Sequence, residues 1–182
     1  MFASRAVKAN DGRLMPMEDI PSEHVLAANG ADLIIARNEQ SVLSNTVFIS
    51  GEIPRVTSFE KGMPGQKRLD AAGEWTPMSS WWMSGSSPST WRTRACSSSR
   101  PFRTAGLVDV LTHAAERFPG IPLFGVLGGF HLAGPTEAII LETVDALEAF
   151  DLQLIAGAHC TGWRALGQLA QRFGSLQVSS ST

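Results

Sequence analysis

The C-terminal part of this chain constrains its fold most, because it holds two short apolar runs, Ile121 to Leu127 and Leu152 to Ala156, each set between stretches of helical period. Apolar runs of that length, bounded by turn residues, read as buried strands. Ahead of the first run, Leu107, Val110, Leu111, Ala114, Ala115 and Phe118 recur at helical spacing and stop at Pro119-Gly120. That is an amphipathic helix with His113 and Glu116 off its apolar stripe, so His113 is expected to face solvent. Between the runs, Thr136 to Phe150 begins just after Pro135; after the second run, Gly162 to Phe173 is ended by Gly174. Both read as helices. Strand, helix, strand, helix with short connections is the pattern of a layered α/β unit. The first run continues through GGF into His131 and the second through Gly157-Ala158 into His159. Both histidines thus fall at the C-terminal ends of strands, the edge where such folds place their chemistry.

The preceding residues carry weaker signals. Residues 1 to 22 are polar and punctuated by Pro16 and Pro21, and read as an extended segment. Ser22, followed by Glu23, His24, Val25, Leu26 and Ala28, suggests a short capped helix ending at Asn29-Gly30. Asp32 to Ala36 and Thr46 to Ser50 are short apolar runs consistent with neighbouring strands. Residues 54 to 78, with Pro54, Gly62, Pro64, Gly65, Gly73 and Pro77, read as a long loop. With 43% apolar and 18% charged residues the chain fits a globular protein and excludes a disordered or fibrous one. A net charge of −2 gives no electrostatic case for nucleic acid, despite Arg92, Arg94, Arg100 and Arg103. No apolar run reaches the roughly 18 residues of a membrane span, and MFASRAVKANDG lacks the apolar centre of a signal peptide, so a cytoplasmic location is expected.

From Ser79 to Arg103 the composition changes abruptly: Ser, Arg, Thr and Trp dominate, Leu, Ile, Val, Asp and Glu are missing, and neither strand nor helix period can be found. A disordered Ser-rich loop is one reading. The tryptophans at Trp81, Trp82 and Trp91 are at odds with it, because Trp is rare in such tracts. Out-of-frame translation or a sequencing error, restored near Thr104, is the other. Under either, residues 79 to 103 are expected to be the least ordered part and 104 to 174 the most.

Three segments, in this order, carry a resemblance: GEIPRVTSFEKG (Gly51 to Gly62), GGFHL (Gly128 to Leu132) and HCTGWRA (His159 to Ala165). They resemble the metallo-β-lactamase superfamily, in the branch of dihydropterin-ribofuranosylaminobenzene-phosphate synthases and related hydrolases. The resemblance covers roughly residues 1 to 78 and 104 to 174. It implies an α/β chain with a partial four-layer αββα fold lacking most of its N-terminal half. Residues 1–78 would then be a partial N-terminal region, 104–174 the C-terminal α/β unit and 175–182 a tail. It also implies that His131 and His159 bind metal in intact relatives, that Thr161, Trp163 and Arg164 line the substrate pocket, and that the cofactor is zinc, one or two ions. The chemistry implied is metal-assisted hydrolysis or transfer.

The departures from the family pattern matter as much. Its main zinc-binding loop, HxHxDH, does not occur here, and the four histidines, His24, His113, His131 and His159, are nowhere within three residues of one another. Where the family has a serine-histidine-alanine-glycine turn, this chain reads RPFRTAGLVDV (Arg100 to Val110). A catalytic zinc takes three protein ligands and a water. The expectation is a metallo-hydrolase fragment inactive as this chain; the alternative is a non-enzymatic α/β binding module that needs a partner chain. A truncated fold would expose apolar sheet surface and recruit a partner or self-associate.

The residues also admit plainer readings. His131 after two glycines serves a turn as readily as a ligand set. Trp163 has a packing role available and Arg164 a solvated one. His159, between Ala156-Gly157-Ala158 and Cys160-Thr161-Gly162, has the better functional case, because backbones can approach it closely. Cys160 reads as a small packed side chain, and with Cys96 it forms neither a disulfide framework nor a CxxC knuckle.

Overall fold

The computed structural model describes residues 4–9, 11–17, 21–33, 38–50, 53–62, 65–70, 72–77, 85–89, 92–97, 106–174 and 177–179. In chain order they form strands β1 (Arg5–Lys8) and β2 (Leu14–Pro16), helix α1 (Glu23–Ala28), strands β3 (Gln40–Val42), β4 (Val47–Ile49), β5 (Gln66–Leu69), β6 (Trp75–Pro77), β7 (Gly85–Ser89) and β8 (Arg92–Ser97), and helix α2 (Leu107–Arg117). Then come β9 (Leu123–Gly128), α3 (Ile140–Leu147), β10 (Leu154–Gly157), α4 (Trp163–Phe173) and β11 (Gln177–Ser179). Short 3-10 turns at Gly134–Ile139 and Glu148–Phe150 flank α3, and another at His159–Thr161 precedes α4. The chain divides into two compact units, residues 1–36 with 63–80 and residues 37–62 with 81–182.

In the first unit the described strands form an antiparallel sheet of order β2-β1-β5-β6. The expected loop over 54–78 therefore contains a hairpin. Its turn is built by Asp70, whose Oδ1 accepts the N–H groups of Ala72 and Glu74, both at 2.9 Å, and by Gly73 at φ +82°. QKRL and WTP are too short and too mixed in polarity to show a period. Helix α1 starts as expected, the Ser22 hydroxyl accepting the Val25 N–H at 3.3 Å. Asp32 and Leu33 lie outside any strand, and the rest of that expected strand falls outside the described residues.

The second unit holds a seven-stranded sheet among the described residues, in the order β11-β10-β9-β8-β7-β4-β3. Strands β8 to β11 run parallel, while β8–β7, β7–β4 and β4–β3 are antiparallel. The Ser- and Arg-rich stretch, expected to lack regular structure, supplies β7 and β8 in the middle of this sheet; residues 79–84, 90–91 and 98–105 lie outside the described part. Ladder hydrogen bonds are made by backbone, which any residue but proline can donate, so composition reports burial more than pairing. The tail expected at 175–182 likewise provides β11, paired with β10.

Helices α2, α3 and α4 bury one core with β9 and β10: Leu107, Leu111, Val126, Val144, Leu147, Ile155 and Leu169 lie within it. Val126 and Ile155 are opposite one another in register, and both are 0% exposed. One residue on, Leu127 is 38% exposed, and Ile121 before the strand is 45% exposed. Strand β9 thus buries one face more than the other within this unit, where the sequence reads as buried throughout. The β3–β4 hairpin is tied to the end of α2 by an edge-on contact of Phe48 with Phe118, centroids 5.2 Å apart, and by Arg117, which reaches Glu39 at 2.5 Å and lies over the Phe48 ring. Among the described residues no helix is long and apolar enough to cross a membrane.

Candidate functional site

Strands β9 and β10 are parallel neighbours, in register from Leu154 opposite Gly125 to Gly157 opposite Gly128. Their C-terminal ends therefore lie side by side, and the loops leaving them, Gly129 to Ala133 and Ala158 to Gly162, start about one strand spacing, roughly 4.8 Å, apart. The pairing runs on past the strands, since Ala158 N–H donates to the Gly128 carbonyl at 2.7 Å. Helix α2 connects the parallel strands β8 and β9, so its N-terminus lies at this same edge. The order of elements alone brings both candidate histidine loops and a helix start together, on the side where α/β sheets place ligands.

The first loop is tightly held. His131 has φ +51°, a left-handed conformation that costs a non-glycine residue about 1–2 kcal/mol, so its surroundings must impose it. Phe130 and Leu132, on either side, are buried at 7% and 2% exposure. The Phe130 N–H donates to the Thr161 Oγ1 at 3.2 Å. The Thr136 hydroxyl donates to the His131 carbonyl and also lies 3.0 Å from the Ala133 carbonyl. His131 is half-buried, and its Nε2 is shielded from water with no hydrogen-bond partner. A ring nitrogen left without a partner is the kind of atom that can coordinate a metal.

The second loop meets the first closely. Gly162, at φ +80°, passes so near that a Cβ there would lie 2.9 Å from the Ala133 Cβ. His159 opens the 3-10 turn, on the expected edge, but its side chain lies outside the described part of the structure. Thr161 is fully buried. Trp163, on the first turn of α4, is 74% exposed, which removes the packing alternative. The Arg164 guanidinium lies 4.6 Å from the Trp163 ring centroid and its Nη1 reaches both carboxylate oxygens of Glu137, at 3.0 and 2.8 Å. Arg164 is thus neither simply solvated nor free: the Trp163 indole and a carboxylate from the 3-10 turn ahead of α3 fix its direction.

A third feature of this unit escaped the sequence reading. Glu60 is buried and caps α2 from a distant segment, Oε1 accepting the Val108 N–H at 3.0 Å and Oε2 the Asp109 N–H at 2.9 Å. Asp109 answers from the helix, its Oδ1 accepting the Val56 and Thr57 N–H groups at 2.9 and 2.8 Å. Asp109 is 0% exposed and its Oδ2 has no hydrogen-bond partner. Burial, and then the nearby Asp109 charge, push the Glu60 carboxyl above the usual carboxylate range; the two backbone N–H bonds pull the other way. The available signal was the EIPRVTSFEKG text itself, but nothing local says that its glutamate caps a helix 48 residues away. His113 departs from expectation too: it is half-buried, with Nε2 shielded and unpartnered rather than facing solvent. Its place on the buried side of α2 follows from that helix being covered on more than its apolar stripe, since Val108 and Asp109 are buried as well.

Among the described residues no three His, Cys, Asp or Glu side chains converge to hold a metal ion. The orphaned Nε2 of His131 is the kind of atom a metal would take, yet one such donor falls short of the three that a catalytic zinc requires. The described donor set does not fit a catalytic metal centre.

No family model matches the sequence. The chain is 33% identical over 67 residues to the uncharacterized protein MJ0448 of Methanocaldococcus jannaschii, a match covering 37% of this chain and 25% of that protein. In structure it is similar to Tm1679, a metal-dependent hydrolase of the β-lactamase superfamily, with a TM-score of 0.74, 18% identity and coverage of 98% of this chain. The match spans 64% of the length of Tm1679 and a quarter of that of MJ0448. The fold is therefore a mixed α/β fold similar to that of Tm1679.

Proposed function

We propose that this chain, sharing its fold with a metal-dependent hydrolase of the β-lactamase superfamily, is a metallo-hydrolase fragment that is inactive on its own. The observation that carries this reading is the register of β9 and β10, which sets the His131 and His159 loops side by side at the C-terminal edge of the sheet. In this reading those two histidines are the surviving metal-ligand positions, the metal of intact relatives is zinc, and the branch is that of the dihydropterin-ribofuranosylaminobenzene-phosphate synthase-like enzymes. Trp163 and Arg164 form the substrate-facing rim, an exposed indole beside an oriented guanidinium. Zinc, where bound in relatives, supplies an acidified water. The described residues of this chain offer too few donors for that, so we assign it no catalytic step. The protein is cytoplasmic and acts on, or binds, a small molecule.

The exposure of Trp163 and the absence of a three-ligand cluster among the described residues favour one further reading, a binding module of the same fold that works with a partner chain. Metal analysis of the purified protein, with phosphodiesterase, lactamase and thioesterase assays in added zinc or manganese, decides between them. Little or no retained zinc and no turnover, from protein that purifies without a partner chain, is the expected result. Turnover abolished by chelator and by His159→Ala would overturn the inactivity. Metal-free protein recovered as a stable heteromer would establish the binding module instead.

A further inference from the structure

We infer that Thr161 is a positioning residue: its hydroxyl ties the His131 loop to the His159 turn and, with the Thr136 hydroxyl bracing the loop from within, holds His131 in its left-handed conformation. The inference rests on the reading of these two loops as one site, and its own observations are geometric. The Gly129–Phe130 peptide, one residue before the His131 linkage, is held through Phe130 N–H on the Thr161 Oγ1 at 3.2 Å, and the peptide after His131 through its carbonyl on the Thr136 hydroxyl. Anchors on either side of His131, together with the burial of Phe130 and Leu132, oppose relaxation of its φ of +51° to the ordinary helical or extended regions.

The two glycines around Thr161 support the same role. A Cβ on Gly157 would lie 3.0 Å from both Cγ2 and Oγ1 of Thr161, and one on Gly162 would lie 2.9 Å from the Ala133 Cβ. Glycine at both positions lets the second loop come close enough for the Thr161 hydroxyl to reach across the strand gap. Full burial leaves Thr161 no surface to offer a substrate, so it acts behind the site on the histidine loop.

The test compares full-length wild type, Thr161→Val, which keeps the shape and removes the acceptor, and Thr161→Ser, which keeps the acceptor and removes the methyl. The readouts are the Phe130 amide exchange rate and the His131 Cα chemical shift and HN–Hα coupling, which report a left-handed residue directly. Thr161→Val should speed Phe130 exchange at least about tenfold beyond any change at Val126 in the same molecule and move the His131 signature out of the left-handed range. Thr161→Ser should restore both. An unchanged Phe130 rate and His131 signature in Thr161→Val, or a Thr161→Ser protein that behaves like Thr161→Val, would overturn the inference. Should Thr161→Val not fold, Thr136→Val tests the other half of the lock by the same His131 signature, with an unchanged signature again counting against it. Zinc content measured on the same samples bears only on the metal reading, so that reading can fail while the positioning role stands.

Discussion

Replacing Gly106 by alanine tests how much the second unit depends on the distant cap of α2. Gly106 precedes the helix at φ −60° and ψ 168°, a conformation alanine adopts freely, so backbone strain plays no part. A Cβ there, however, would lie 1.9 Å from the Glu60 Cδ and 2.1 Å from its Oε2. The carboxylate must leave. It then abandons the Val108 and Asp109 N–H groups, and hydrogen bonds to a charged acceptor are each worth about 1.5–3 kcal/mol. Against this, Glu60 regains its hydration and escapes the Asp109 charge, the two effects that hold its pKa up. Setting the two bonds against that relief leaves a net destabilisation of about 2–4 kcal/mol. Gly167→Ala is the control, because Gly167 lies within α4 with nothing within 4 Å of a Cβ, and the change should be neutral or stabilising by up to about 1 kcal/mol. Urea denaturation at pH 7 followed by helical circular dichroism reads both. A Gly106→Ala protein within about 0.5 kcal/mol of the parent would show that the cap contributes nothing net and refute the reasoning.

The same carboxylate sets a pH dependence: with its folded pKa above the ordinary 4.5, the native state binds more protons between those two values. The proton-linked part of the stability that comes from Glu60, over and above the cap bonds of the ionised carboxylate, is therefore fully present below pH 4.5 and is lost as pH rises through the folded pKa; Glu60→Gln should flatten that part of the stability–pH curve, and an unchanged slope would count against the assignment. Ile155→Ala, at 0% exposure in the core, should cost about 2–5 kcal/mol in the same urea assay, whereas Leu141→Ala, at 61% exposure, should stay within about 0.5. Arg103→His, which on the proposed reading puts a histidine near a metal-ligand turn of relatives, should give no metal-dependent turnover, because this sequence still contains no HxHxDH loop; chelator-sensitive activity in that variant would contradict the fragment reading. Reading the coding DNA across residues 79 to 103 in the other two frames should reveal an aliphatic segment ending in a serine-histidine turn if the tract is out of frame, and two frames without one would dismiss that explanation.

What the sequence determined by itself lies where local rules are strong. The period of Leu107 to Phe118, the capping Ser22, the stop at Gly174 and the apolar runs around Val126 and Ile155 each act over a few residues, and the structure forms helices and strands there with ends shifted by a few positions. The placement of His131 and His159 at one sheet edge also followed, because a strand–helix–strand order with short connections admits few topologies. Tertiary structure decided what depends on partners far along the chain. A polar tract became the middle of a sheet because backbone pairing does not read side chains, and residues 37–62 joined the second unit while 63–80 joined the first. Glu60 became a helix cap, and Thr161 was buried with its hydroxyl on the Phe130 N–H of the histidine loop. In each case the deciding contact is a hydrogen bond or a close approach between segments remote in sequence, whose geometry no local period encodes.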